Sequence, residues 1–276
     1  GISLAIIAVG LVSLVMNGLN WGIDFAGGNI IQYDLKTEYN LADARSLMDS
    51  FNFEDYEVRK AGDNQQQLII RTPVLTQEQQ ESINKSIMEK WNNAQLIRIE
   101  KVDAVIGKEL QRQAVLGLVV ATVAMLIYIT FRFEFHSAVA AVLALIHDVL
   151  IIISLYAVFR IPVNTTFIAI ILTIVGYSIN DTIVIFDRIR ENIKLMRKTS
   201  FNEIANFSIT QSLNRSINTS LTTLLSIIAL YIFGGETIKD FMLTLIIGIL
   251  AGTYSSIFIA SPLWGIFRGT GRTAKA

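Results

Sequence analysis

Long apolar stretches recur along this chain, and short polar loops separate most of them. Crossing the hydrocarbon core of a bilayer takes about 20 apolar residues in a helix. Six stretches come close to that length or exceed it, at 1–19, 112–131, 137–159, 164–186, 212–233 and 240–267. The pattern therefore predicts a multi-pass membrane protein whose membrane part is all-α, with six transmembrane helices.

The polar segment 20–111 interrupts this series and has the periodicities of a small folded domain. Strand-like patterns occur at 29–35, 56–60, 67–72 and 94–102. Helical spacing occurs at 41–51, and Thr76 with Gln79 forms a capping box that opens a second helix. The order β-α-β-β-α-β predicts an inserted α+β domain of the ferredoxin-like type, a fold that hosts many functions and identifies none.

Lysine and arginine are distributed unevenly between the two sets of short loops. One set, together with the tail, carries nine of these residues, and the other carries two, Arg160 and Lys239. Cytoplasmic loops are enriched in basic residues, so we expect the first set to be cytoplasmic and 20–111 to be extracytoplasmic. The cytoplasmic parts are then 132–136, 187–211 and the tail 268–276.

The loop 187–211 is the longest of the cytoplasmic connections and places Phe201, Ile204 and Phe207 among charged residues. This pattern predicts an amphipathic helix that lies along the membrane surface. Such a helix could be a plain topological anchor or a docking surface for a partner, and the residues leave both alternatives open.

The composition narrows the chemistry. The chain is 52% hydrophobic and 17% charged, whereas soluble domains are about 25% charged. It has no cysteine, two histidines and a net charge of zero. We therefore expect no disulfide, no metal site, no cofactor and no nucleic-acid partner. Gly1 lies inside an apolar stretch without an initiator methionine, so we expect the natural protein to begin upstream.

Two ionisable residues within the predicted spans are candidates for function, because charges in a bilayer are costly. Asp181 lies near the cytoplasmic end of the fourth span, and Arg215 lies near the cytoplasmic start of the fifth. These spans run antiparallel, so the two side chains lie at similar depth and are expected to meet. Asn218 and Thr222 follow Arg215 at helical spacing and predict a polar stripe that faces inward.

This pair has two interpretations. One is a structural ion pair that fixes the packing of the two spans. The other is a carboxylate that changes protonation, because burial raises a carboxyl pKa and a nearby Arg lowers it. Hydroxyl and amide groups beside Asp181, on Ser178, Asn180 and Thr182, suit a proton relay better than metal binding or nucleophilic catalysis. We expect no catalytic site.

A second polar pair, His147 and Asp148, lies midway along the third span. Adjacent residues point about 100° apart around a helix, so we do not expect both to face one partner squarely. A supporting polar role and a direct role in transport are equally compatible with the sequence.

Glycines mark two further places. The segment after the first span contains Gly22, Asp24, Gly27 and Gly28, lacks the Lys-Ser/Thr of a phosphate loop, and predicts a tight backbone path. In the last span, the residues at 248 and 252 form a small-xxx-small pair, which indicates close helix packing.

The stretches 22–28, 175–190 and 213–223 resemble signature sequences of the SecF family of protein-export membrane subunits. The likeness extends over the whole chain, and the Gly-Ile-Asp-Phe form after the first span favours SecF over its sister family SecD. The resemblance also places the chain in the resistance-nodulation-division superfamily. It leaves open whether the natural protein is a separate subunit or the C-terminal half of a fused SecDF.

The resemblance implies a role in the bacterial inner membrane. The family pairs with SecD and with the SecYEG channel, and YajC is a further partner. It uses the proton gradient to promote late translocation of chains that SecA has pushed into the channel. The family's intramembrane Asp and Arg correspond to Asp181 and Arg215, and its His-Asp pair corresponds to His147 and Asp148.

Two other classes compete with this interpretation. A small-molecule or lipid exporter of the same superfamily would carry larger outer domains and two six-span halves, which this chain lacks. A structural scaffold would need the buried pair only to hold helices together.

Overall fold

The computed structural model describes residues 1–53, 56–62, 64–102, 104–196 and 198–268, apart from the side chains at 104, 236 and 237. Sequence expectations for the residues at 63, 197 and 269–276, including most of the predicted tail, lie outside this description.

The membrane part is built from long apolar helices. Helix α1 spans Ile2–Asn17. The others are α5 (Ala104–Arg132), α6 (Phe135–Phe159), α7 (Thr165–Leu195), α8 (Phe201–Phe233), α9 (Glu236–Ser255) and α10 (Ser261–Arg268). A π-helical turn, Ser256–Ala260, joins α9 to α10 without a break.

Within the described part of the chain, five helices are long and apolar enough to cross a membrane, the last being α9, the π turn and α10 together. Helix α1, the first predicted span, is apolar but has 16 residues. The chain is therefore a multi-pass membrane protein. Helix α5 begins at Ala104 and contains the whole of the second predicted span, 112–131.

The segment 187–211, for which the sequence predicts an amphipathic helix along the membrane, is divided between two helices in the described residues. Helix α7 continues to Leu195, and α8 begins at Phe201 behind a capping box of Ser200 and Glu203. Two of its apolar positions, Phe201 and Ile204, are buried, and Phe201 contacts the ring of Trp264, whereas Phe207 is exposed. Polar positions are also used internally, since Asn192 Nδ2 donates to Ser208 Oγ at 2.8 Å. The two spans therefore extend as a helical hairpin.

A small α+β unit lies between α1 and α5. Its strands are β1 (Gly28–Asp34), β2 (Glu57–Ala61), β3 (Gln67–Thr72) and β4 (Gln95–Val102), and its helices are α3 (Leu41–Asp49) and α4 (Gln77–Lys90). The strands form one antiparallel sheet in the order β2-β3-β1-β4. The capping box at Thr76 and Gln79 is present at the start of α4, as the sequence predicts.

The α+β unit has its own hydrophobic core, formed by residues of its sheet and its two helices. Ile31, Tyr33 and Ile70 from the sheet are fully buried against Met48 of α3 and Ile83 of α4. Both helices therefore cover the same face of the sheet. Burying apolar side chains of this size contributes about 1.5–3 kcal/mol each.

Helices α6, α7 and α9 form the centre of the bundle, and small residues let them approach closely. A Cβ on Gly252 would lie 2.9 Å from the Cβ of Ser178, and one on Gly248 would collide with Ile174. The small-xxx-small pair is thus the contact between α9 and α7, as predicted. Helix α8 packs against α7 and α9, and α1 crosses α6 where Gly10 meets Ser154.

Candidate functional site

Asp148 is the most deeply buried carboxylate of the bundle core and has no exposed surface. Its Oδ2 accepts hydrogen bonds from Ser178 Oγ of α7 and Ser255 Oγ of α9, each at 2.7 Å. Its Oδ1 lies 3.1 Å from His147 Nδ1. Three helices therefore converge on one carboxylate, and Ser178, predicted as a supporting residue near Asp181, contacts Asp148 instead.

His147 lies on the edge of this cluster. The two side chains leave the helix in different directions, but the imidazole bends back so that Nδ1 reaches the carboxylate of Asp148. The two residues thus contact each other, and the expectation that they do not both face a third partner squarely stays a prediction. His147 Nε2 is buried and has no hydrogen-bond partner among the described residues. The ring of Tyr254 lies 6.2 Å away, centre to centre.

Asp181 is the second buried carboxylate, with 6% of its surface exposed. Its Oδ1 accepts a hydrogen bond of 2.6 Å from Ser216 Oγ of α8. Its Oδ2 is buried and has no partner in the part of the chain that the structure describes. One oxygen of this carboxylate is thus held by α8.

Arg215 does not make the expected direct contact with Asp181. Within the described residues no ion pair joins the two side chains, and the group that reaches the carboxylate is the neighbouring Ser216. Neighbours on a helix point about 100° apart. With Ser216 facing α7, Arg215 is directed outward and is exposed.

Arg215 lines a cavity of about 320 Å³ between α7 and α8. Its other lining residues are Val184, Asp187, Arg188, Glu191, Gln211 and Ser212. Three of the charged lining residues are already paired, since Arg188 Nη1 donates to Glu191 at 2.5 Å and Asp187 lies 3.1 Å from Arg132. Arg215 therefore has no ion-pair partner among the residues that the structure describes.

The inward polar stripe of α8 is shifted from its predicted position. Asn218 and Thr222 are exposed, and Thr222 Oγ1 donates back to the Asn218 carbonyl at 2.9 Å. Asn180 of α7 is exposed as well. The buried face of α8 instead carries serines at four-residue spacing, namely Ser208, Ser212, Ser216 and Ser220. Small hydroxyl residues allow close helix contact and supply donors.

A hydroxyl network connects the regions of the two carboxylates. Thr182 Oγ1 and Ser256 Oγ lie 2.8 Å apart, and Ser256 Oγ also lies 3.2 Å from the Ser178 carbonyl. Ser256 opens the π turn, whose geometry places it and Ser255 toward α6 and α7. Single π turns in helices often occur at functional sites. The sequence signal that could have shown this is the Ser-Ser pair in the middle of an apolar span.

The glycine-rich segment after α1 forms a short helix, α2 (Ile23–Ala26), that contacts the start of α7. Gly22 N–H donates to the Val163 carbonyl at 2.7 Å. Asp24 Oδ2 accepts from both the backbone N–H and the hydroxyl of Thr165, at 2.9 and 2.7 Å. A carboxylate at a helix N-terminus is stabilised by the unpaired N–H groups there. Asp24 thus joins this segment to the helix that carries Asp181.

The exit from this segment requires glycine. Gly28 has φ +145°, and a Cβ there would collide with the Thr72 carbonyl of the neighbouring strand. Gly27 has φ 79° and ends α2. Together they turn the chain from the membrane part directly into β1.

Comparison with known proteins agrees with this arrangement. The family model described as protein export membrane protein SecD/SecF, C-terminal, matches residues 82–269, and the SecD/SecF GG motif matches residues 12–38. The second match contains the segment that caps α7. The chain is therefore a membrane protein of the SecD/SecF class.

Individual relatives show which of the two families, SecD or SecF, the chain belongs to. The protein translocase subunit SecF of Sebaldella termitidis is 43% identical over 94% of this chain and 85% of its own length. SecF of Pseudomonas aeruginosa is 37% identical over 94% of this chain and 85% of its own length. The chain belongs to the SecF family.

Solved structures give the same fold. The crystal structure of SecDF, a translocon-associated membrane protein from Thermus thermophilus, is 36% identical and has a TM-score of 0.85. It covers 95% of this chain, whereas this chain spans 36% of that one. SecDF in a super-membrane-facing form gives a TM-score of 0.72 at 35% identity, with 96% of this chain and 37% of that one covered.

Proposed function

We propose that this chain is a non-enzymatic subunit of the bacterial Sec protein-export machinery and that it couples the proton gradient to late translocation. The observation that carries the proposal is Asp181, a buried carboxylate with one oxygen held by Ser216 and the other without a partner among the described residues. Such a group is costly as a bare anion in a low-dielectric core, so binding a proton relieves the cost.

Arg215 supplies the second part of the mechanism. In the present state it faces a cavity and Asp181 faces Ser216. A rotation or shift of α8 that exchanged Ser216 for Arg215 would favour the ionised carboxylate and release the proton. Each proton that crosses the membrane potential supplies roughly 2.3 kcal/mol per 100 mV.

SecD is the proposed partner that covers α8. Arg215, Asn218 and Thr222 are exposed on one face of a helix that crosses the membrane. Polar side chains within a membrane-spanning helix are costly in lipid, so they face protein or water. A second helical half would provide that environment, and the related SecDF chains are long enough to contain one. We extend the proposal to the SecYEG channel, SecA-driven preprotein and YajC as further partners.

The proposed topology has α1 as a sixth span and the α+β unit, of ferredoxin-like type, outside the cytoplasmic membrane. The nine-to-two distribution of Lys and Arg supports this orientation. The loops at 132–136 and between α7 and α8, and the tail 268–276, would then be cytoplasmic.

The decisive experiment compares Asp181→Asn with wild type for export into inner-membrane vesicles, with and without a proton gradient. Asparagine keeps the size of the side chain and can accept from Ser216, but it cannot bind a proton. We expect gradient-stimulated export to be lost while complex assembly and thermal stability stay near wild type. Asp43→Asn, an exposed aspartate of α3, is the control for loss of one charge.

Two results would contradict the proposal. Full gradient-stimulated export by Asp181→Asn would exclude this carboxylate as the proton carrier. Loss of export that tracks loss of the assembled complex would favour the scaffold interpretation, in which the residue only holds α7 against α8.

A further inference from the structure

We infer that His147 is a second proton-binding group of the bundle, separate from Asp181, and that Asp148 is its positioning residue. The inference stands on the buried contacts of the cluster and does not depend on Asp181 acting as a relay.

The first step concerns the charge of Asp148. Its side chain is 1% exposed, and the two hydroxyls that donate to Oδ2 belong to the uncharged residues Ser178 and Ser255. Both hydroxyls can donate to Oδ2, which is an acceptor when the carboxylate is ionised. A lone anion in a dry core is costly unless a cation pairs with it. The group in contact that can supply the cation is His147.

The second step concerns which nitrogen takes the proton. An ionised carboxylate only accepts hydrogen bonds, so the contact of 3.1 Å between His147 Nδ1 and Asp148 Oδ1 places a hydrogen on Nδ1. Neutral His147 then carries its lone pair on Nε2. That atom is buried and has no partner among the described residues, so it is the atom where a proton binds and leaves.

The proton balance is simple. A proton from water adds to Nε2 and converts imidazole to imidazolium, while Nδ1–H stays on Asp148. Release from Nε2 restores the neutral ring, and no other bond changes. The charged form makes a neutral pair with Asp148, and the neutral form leaves Asp148 held by its two serines.

The other ionisable groups around the cluster are few. Helix α1 has none, and α7 offers Asp181 three residues beyond Ser178. Tyr254 faces the imidazole from α9. The charged residues of α5 lie toward its two ends, and α10 contributes Arg268 at its last position. Asp148 is therefore the nearest charge to His147.

Nuclear magnetic resonance of ¹⁵N-histidine in the full chain, embedded in lipid nanodiscs, tests the inference. The chain has two histidines, and the other, His136, is exposed and serves as an internal reference. His136→Gln assigns the signals. We expect His147 to keep Nδ1–H throughout, with an Nε2 signal that changes between about pH 4 and pH 9, the range in which imidazoles change charge.

Two variants with opposite expected effects identify Asp148 as the positioning group. Asp148→Asn removes the negative charge, so the ratio of charged to neutral His147 should fall by about tenfold or more at a given pH. Ser255→Ala removes one hydrogen-bond donor from Oδ2, so the negative charge of the carboxylate is stabilised less by Ser255 and more by charged His147. The ratio of charged to neutral His147 should therefore rise. A general loss of helix packing would change the ratio of charged to neutral His147 in the same direction in both variants, and that outcome would overturn the inference.

Further outcomes are equally clear. A pH-independent His147 signal, or a proton on Nε2 with none on Nδ1, would overturn the inference. If Asp148→Asn does not fold, Ser255→Ala and Ser178→Ala decide the question, because both must raise the charged fraction. In an Asp181→Asn background the His147 signal should still respond to pH. The two proposals can therefore fail separately. If Asp181→Asn keeps gradient-stimulated export, the proposed function is contradicted, but the His147 signal should still respond to pH.

Discussion

Ser216 of α8 donates a hydrogen bond of 2.6 Å to Asp181 of α7, and its neighbour Arg215 faces the adjoining cavity. The carboxylate therefore rests on a neutral donor with the cation one position away along α8. An exchange of Ser216 for Arg215 at the carboxylate requires a rotation of about 100° about the axis of α8. Such a rotation would also repack the contacts of α8 with α7 and α9.

Ser216→Ala tests the first half of this relationship. The change leaves both oxygens of Asp181 without a donor among the described residues, so we expect a loss of about 1–3 kcal/mol in stability. Thermal unfolding in detergent measures it. Ser226→Ala is the matched control, because Ser226 lies on the same helix, is exposed and bonds only to the Thr222 carbonyl within the described structure. Equal effects of the two changes would contradict the importance of the contact.

The contact between α7 and α9 gives a second prediction. Gly252→Ala places a methyl group 2.9 Å from the Cβ of Ser178, which also donates to Asp148. We expect a loss of about 1–3 kcal/mol from overpacking. Gly117→Ala in α5 is the control, since nothing lies within 4 Å of a Cβ there. Alanine at that helix position should be neutral or stabilising by about 0.5–1 kcal/mol. A stabilised Gly252→Ala would contradict the packing argument.

Asp24 offers a test of the link between the glycine-rich segment and α7. Asp24→Ala removes both hydrogen bonds to Thr165 and the negative charge at the helix N-terminus. We expect a loss of about 1–2 kcal/mol in thermal stability. Thr165→Val removes only the hydroxyl contact and should cost less. If Thr165→Val costs as much as Asp24→Ala, the backbone contact contributes nothing.

Part of this architecture could be predicted because it depends on local periodicity. Strand and helix patterns in 29–102 gave element positions within a few residues, and apolar length gave the helices of the bundle. The extension of α7 to Leu195 and the early start of α8 were missed, because polar residues there pair with one another across the hairpin. Local composition does not reveal such pairing.

The sequence predicts how deep in the membrane the residues of the candidate site lie, but not which side of its helix each one occupies. The sequence placed Asp181 level with the start of the fifth predicted span, 212–233. Arg215 and Ser216 differ there by one position, and only packing decides which of them faces α7. The sequence left the role of Asp148 open, because its donor Ser255 lies 107 residues away along the chain. Contacts of that range follow from the tertiary fold.

Alkaline pH gives a prediction for the α+β unit. Burial raises the pKa of Tyr39 to about 12, whereas the unfolded chain has a tyrosine pKa of about 10. The folded state holds the phenolic proton more tightly, so stability is fully present below pH about 10 and falls as the pH rises through about 12. Fluorescence of Trp91, whose ring centre lies 6.1 Å from that of Tyr39, reports unfolding. Tyr39→Phe should reduce this loss, and an unchanged pH dependence would contradict the assignment.

The orientation of the chain in the membrane gives the last prediction. Lys85 is exposed on α4 of the α+β unit, and Lys198 is exposed at the turn between α7 and α8. The proposed topology puts them on opposite sides, the first outside and the second in the cytoplasm. The chain has no cysteine, so Lys85→Cys and Lys198→Cys each introduce a single reactive thiol. A membrane-impermeant maleimide added to intact spheroplasts should label Lys85→Cys alone. The same reagent added to inverted inner-membrane vesicles should label Lys198→Cys alone, and each preparation is thus the control for the other. Labelling in the reverse pattern would show that the chain has the opposite orientation to the one inferred from its Lys and Arg residues. Labelling of both thiols from one side would show that the α+β unit and the turn between α7 and α8 lie on the same side of the membrane.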